Sequence, residues 1–86
     1  LELAPVNLYT IVTGAIETAY PDANAKNIRF VTVLDNSIPP ISGDIHRLQQ
    51  VIGNLLSNAL KFTDVGGRIE VYLSIKHAWQ GNQDLN

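Results

Sequence analysis

The strongest hydrophobic period in the chain runs from Ile45 to Phe62, where Ile45, Leu48, Ile52, Leu55, Leu56, Ala59 and Leu60 recur at helical spacing. On a wheel of about 100° per residue these positions cover a broad apolar arc. They leave one narrow polar stripe of Arg47, Gln50, Asn54, Asn58 and Lys61. The pattern predicts a helix buried over most of its girth, presenting a single polar line. Asp44 stands where an N-cap is wanted, and the Gly-Gly pair in Thr63–Gly67 breaks the period. An earlier stripe of Leu8, Ile11, Val12, Ala15, Ile16 and Ala19 predicts a first helix, capped by Asn7. Pro21 is expected to stop that helix at or just after Ala19, leaving a polar connection to Asn27 with room for one extra turn at Ala23–Lys26.

Between and around the helices the period changes to two. Arg68–Lys76 alternates, with Ile69, Val71, Leu73 and Ile75 on one face and Arg68, Glu70, Tyr72 and Ser74 on the other, which predicts a half-buried strand. Ile28–Asp35 is apolar on both faces and rich in β-branched residues, as an internal strand would be. Leu1–Val6, with Pro5, reads as a short edge strand. Asn36–Gly43, with Pro39 and Pro40, reads as a loop, and the polar stretch after Lys76 as a loop or frayed end. Strand, helix, strand, helix, strand predicts a two-layer α/β sandwich with the helices on one face of the sheet.

Composition narrows the function classes. The 86 residues suffice for one small domain, and with 45% hydrophobic and 16% charged residues the chain is core-forming. A net charge of −2 with scattered basic residues offers no footprint for nucleic acid. No cysteine is present, which excludes a thiolate metal site and suits a reducing, cytoplasmic setting. No apolar run is long enough to span a bilayer, so this segment is expected to make no membrane contact. The start at Leu1, without a signal-like region, is expected of a segment taken from a longer protein.

The polar stripe of the second helix carries the candidate chemistry. Solvated helix faces usually hold Glu, Lys, Gln or Arg, whereas Asn54 and Asn58 are poorer helix formers set one turn apart. An Asn carbonyl oxygen is a hard neutral ligand suited to Mg²⁺, and the spacing lets both reach a common ion. Lys61 continues the line and can meet phosphate oxygens as a point charge. Phe62 at its edge can lay a ring against a base or sugar. Taken singly, each has a plainer reading: hydrogen-bonded asparagines at a loop interface, a cation favoured by the helix dipole, a core phenylalanine. His46 reads as an exposed helix residue and His77 as a strand-end residue.

Together, Gly43-Asp44-x-x-Arg47-Leu48-x-Gln50-Val51-x-x-Asn54-Leu55-Leu56-Ser57-Asn58-Ala59-Leu60-Lys61-Phe62-Thr63 resembles the N box of sensor histidine kinases. Gly66-Gly67-Arg68-Ile69-x-Val71 is similar to the strand that follows it in that family, and the looser upstream match extends the resemblance over most of the chain. The resemblance implies a partial Bergerat fold, the α/β sandwich with a mixed sheet shared with gyrase and MutL ATPases (the GHKL group). By it, residues 1–86 form the N-terminal portion of an ATP-binding catalytic domain. It makes Asn58 the principal Mg²⁺ ligand, Asn54 its assistant, Lys61 a phosphate contact and Phe62 the aromatic residue by the nucleotide, with ATP and Mg²⁺ as cofactors. In the ATP-hydrolysing relatives the position of Asn54 holds a Glu that activates water; Asn here favours phosphoryl transfer to a protein acceptor. The implied partners are the parent's dimerisation and phosphoacceptor domain and a response regulator.

The sequence also departs from the family. It contains no Asp-x-Gly-x-Gly box for the adenine, no glycine-rich ATP lid and no phosphoacceptor histidine box. The chain by itself is therefore expected to bind Mg-ATP weakly or not at all, to carry no catalytic residue of its own, to leave strand edges and apolar helix surface uncovered and to self-associate through those edges. The alternative is a kinase-like regulatory or interaction module that no longer handles nucleotide.

Overall fold

The computed structural model describes residues 2–75. Its elements are β1 (Ala4–Val6), α1 (Leu8–Ala25), β2 (Arg29–Leu34), β3 (Ile41–Gly43), α2 (Ile45–Phe62) and β4 (Arg68–Leu73). The expected order of helices and strands is present, and the helices form one layer of an α/β sandwich. The mixed character of the strands is divided between two ladders. β1 pairs antiparallel with β3, Val6 opposite Ile41, while β2 pairs parallel with β4, Arg29 opposite Arg68 through Leu34 opposite Leu73.

Both helix starts follow their caps. The Asn7 side chain accepts from the Thr10 N–H at 3.2 Å. Asp44 accepts from the His46 and Arg47 N–H groups at 3.0 and 3.2 Å, and its second oxygen takes the Glu2 N–H at 3.2 Å. Those N–H groups, which have no partner within a helix, hold the Asp44 carboxyl below its ordinary range, with Arg47 the largest contributor and Glu2 next. Leu48 packs close over Gly43: a Cβ at that glycine would stand 2.9 Å from Leu48 Cδ1.

Three elements differ from their sequence reading. The first helix does not stop before Pro21 but continues to Ala25 with Pro21 inside it. A proline within a helix costs about 3 kcal/mol through its lost N–H and a clash with the preceding turn. Here Glu17, whose carbonyl loses its partner, and Pro21 itself are both exposed, so water can satisfy the break. The other side of the same turn is anchored, with Ala23 fully buried and Tyr20 stacked on Phe30 at 6.0 Å. Second, the loop read over Asn36–Gly43 ends in the three-residue strand β3, which is too short to show a period. Third, β2 has β4 as its one partner among the described residues, rather than a neighbour on each side, and Val33 is 62% exposed. β4 itself ends at Leu73; Lys76, His77 and the tail lie outside the described residues.

The core sits where the two helix ends meet the parallel ladder. Ala23, Ile28, Leu60 and Ile69 are buried together, with Ala19, Phe30, Ala59 and Val71 packed around them. Backbone hydrogen bonds lock the same corner: Ile28 N–H donates to Ala23 O, Arg29 N–H to Gly67 O, and Gly66 N–H to Lys26 O. Gly66 has φ of +83°, where a side chain would be strained, and Asn27 takes the left-handed conformation at 56°.

Candidate nucleotide site on the second helix

The helix that carries the candidate residues is less covered than its apolar arc suggests. Leu56 and Leu60 are its buried residues, while Leu55 is 63% exposed and Ile45 nearly half exposed. A wheel shows that two apolar flanks exist but not which of them has a neighbour. One flank faces α1 and the parallel ladder. The other carries Val51, Leu55 and Phe62, and all three are exposed, Phe62 at 77%.

Asn54, Asn58 and Lys61 fall on the exposed side of α2, next to that bare apolar flank. About 40° separates Asn54 from Asn58 around the axis, so the two amides share one face. Neither donates or accepts a side-chain hydrogen bond among the described residues, whereas Thr13, Thr18 and Thr63 are each tied back to their own helix. Their oxygens are thus available as ligands. No group of three or more His, Cys, Asp or Glu able to hold a metal occurs among the described residues. An Mg²⁺ ion held here would therefore take amide oxygens together with phosphate and water, the mixed oxygen shell that this ion favours. The Lys61 ammonium lies 5.6 Å from the centre of the Phe62 ring, an exposed cation–π contact that gathers the two at the helix end. α2 contains no Asp or Glu, so it offers no carboxylate to activate water. His46 is exposed on the first turn, as expected, more than two turns along the helix from Asn54 and Asn58.

A sizeable concavity lies elsewhere. A groove of about 760 Å³ runs between α1 and α2, floored by small side chains such as Gly14, Ala15, Gly53 and Ser57. Of the four predicted site residues only Lys61 lines it. The paired amide oxygens lie on the asparagine face and not in this groove, which is a helix–helix seam lined by apolar and polar side chains alike, Asn7, Asp22, Lys26 and Gln49 among them.

Two features escaped the sequence reading. One is which apolar face of α2 is left uncovered, the flank of Val51 and Leu55. The other is Lys26, whose ammonium donates to Leu60 O at 2.7 Å and Thr63 O at 2.8 Å, closing the C-terminal end of α2. No local pattern announces such a contact, because the partners are 34 and 37 residues away.

These features define a class: an α/β sandwich of the kind that carries an Asn-bearing helix beside its sheet. Comparison with known proteins shows what the chain is similar to. The chain is 37% identical over 67 residues to the sensor protein GacS of Pseudomonas syringae pv. syringae, covering 77% of this chain and 7% of that protein. It is 33% identical over 70 residues to drug sensory protein A of Synechocystis (81% and 11%), and 32% over 74 residues to the cell-division control histidine kinase PdhS of Brucella anthropi (86% and 7%). Among solved structures, the catalytic domain of histidine kinase ThkA aligns with a TM-score of 0.80 at 25% identity, over 88% of this chain and 52% of that one. The cytoplasmic segment of histidine kinase QseC aligns at 0.78 and 24%, over 85% and 48%. No family model matches the chain. The relatives are sensor histidine kinases and the fold is that of the histidine kinase catalytic domain, as the N-box resemblance implied. The chain spans about half the length of the solved domains and a small fraction of the curated relatives it matches.

Proposed function

We propose that this chain is the N-terminal half of the ATP-binding catalytic domain of a two-component sensor histidine kinase, and that it supplies the Mg-phosphate side of the site. One observation carries the reading. Asn54, Asn58 and Lys61 lie along one exposed line of α2, their amides without side-chain partners among the described residues, beside an apolar flank that ends at Phe62. In this reading Asn58 is the main Mg²⁺ ligand and Asn54 assists, Lys61 neutralises phosphate oxygens, and Phe62 packs by the nucleotide. The helix positions and neutralises phosphate without supplying a base for water, which suits transfer to a histidine rather than hydrolysis. Adenine recognition and the lid come from sequence beyond these residues. The acceptor histidine belongs to the dimerisation and phosphoacceptor domain, and a response regulator takes the phosphoryl group onward. The catalytic portion works in the cytoplasm; no helix among the described residues is long and apolar enough to cross a membrane.

The test is autophosphorylation of the full-length protein with labelled ATP. Asn58→Ala is expected to lower the rate on the order of 10²-fold or more, as loss of one preorganised electrostatic contact does. Its unfolding midpoint should stay at the wild-type value because Asn58 is exposed. Wild-type turnover by that variant would remove the assigned role. The isolated 86-residue chain, titrated with Mg-ATP, should show no micromolar binding.

A further inference from the structure

The last turn of α2 holds both residues assigned to the nucleotide's phosphates and ring, yet the helix ends at a half-buried Thr63 and a glycine turn. What holds that turn is Lys26. Its ammonium reaches the carbonyls of Leu60 and Thr63, and these two residues bracket Lys61 and Phe62 in the chain. Its own carbonyl accepts from the Gly66 N–H at 2.9 Å, so the same residue also fixes the turn that follows. Thr63 adds a bond from its hydroxyl to Ala59 O at 2.6 Å. The groups Lys26 binds are among the last carbonyls of a helix, which have no partner within it and form its negative end. A bare negative end beside Lys61 would oppose an incoming phosphate; a cation seated on it removes that opposition. Charge-assisted bonds of this length are the strong kind and also restrict direction.

We propose that Lys26 is a positioning residue for the nucleotide site: it fixes the backbone of Lys61 and Phe62 and neutralises the carbonyls behind them. The inference rests on the reading of Lys61 and Phe62 as nucleotide contacts. It assigns Lys26 no contact with the nucleotide itself.

The experiment measures Mg-ATP affinity of the full-length protein, at a temperature well below every variant's unfolding midpoint. The variants are Lys26→Met, Lys26→Arg, Lys61→Ala/Phe62→Ala, and that pair combined with Lys26→Met. Lys26→Met should weaken Mg-ATP binding on the order of tenfold, since misplacement of contact groups is costly even from a distance. Lys26→Arg, which keeps a charged double donor, should recover most of the affinity. In the Lys61→Ala/Phe62→Ala background, adding Lys26→Met should cost only about twofold, the non-additivity expected of groups acting through one another. A purely structural role predicts instead that the full loss persists in that background, which would overturn the proposal. So would wild-type affinity in Lys26→Met. If Lys26→Met does not fold, Lys26→Gln, with a neutral donor, enters the same cycle under the same criteria. Wild-type affinity in Lys61→Ala/Phe62→Ala would sink the nucleotide-contact reading itself, a result distinct from failure of Lys26 alone.

Discussion

Near its C-terminal end α2 has two unlike sides. On one, Leu60 is buried with Ala23, Ile28 and Ile69, and Lys26 and Gly66 close the corner with hydrogen bonds. On the other, Val51, Leu55 and Phe62 stand exposed beside Asn54 and Asn58. Both sides are apolar enough to be core, but only one has neighbours among the described residues. The difference separates residues that hold the helix from residues that the helix holds out. Substitution on the first side should be read in stability, and on the second in binding with stability kept.

Leu60→Ala offers the largest test of this division. It removes a buried side chain from the corner and should lower the free energy of unfolding by about 2–5 kcal/mol, read by denaturant titration. For a chain of this size that is enough to unfold much of it at ambient temperature. A loss well under 1 kcal/mol would mean that the corner is not the core. On the bare flank, Leu55→Ser should leave stability within about 0.5 kcal/mol and reduce association of the isolated chain at high concentration. Strong destabilisation by Leu55→Ser would show that this flank is covered by the chain itself, and the comparison would fail.

The smallest effect concerns the far end of the same helix. The Asp44 carboxyl is held below its ordinary range, chiefly by the Arg47 N–H and next by that of Glu2. Its folded value therefore lies below its unfolded one, near about 3.9. Stability from this cap is complete above the unfolded value and is lost as pH falls through the folded value. Asp44→Asn caps comparably but does not titrate there. The gap in unfolding midpoint between wild type and Asp44→Asn should shift against the wild type as pH drops below about 4, and a gap constant with pH would contradict the cap's ionic character.

Much of this was legible in the residues, and for local reasons. Asp44 and Asn7 marked helix starts because an N-cap is a contact within three residues, and both caps are present. Asn54 and Asn58 announced themselves as residue types out of place on a solvated helix face. What was not legible is tertiary. Pro21 carries a local stop signal, overridden by a fully buried Ala23 and the Tyr20–Phe30 stack. Leu55 looks like core because a wheel cannot tell a covered apolar flank from a bare one. Lys26 sits in a polar connection with no period at all, and only the fold brings it to the end of α2.

That placement has a kinetic side. The corner joins Lys26 to groups 34 and 37 residues further along, and the parallel β2–β4 ladder must likewise wait for the crossover through α2. Non-local closures of this kind are slow compared with helix formation. A growing chain that has emitted only its first helix would have no Ile69 to pack on Ala23 and no Gly66 to bond Lys26, while Pro21 weakens the same turn from within. The last turn of α1 should accordingly be among the latest parts of this chain to acquire protection from hydrogen exchange, although in the finished fold it holds the most deeply buried of the described residues, Ala23.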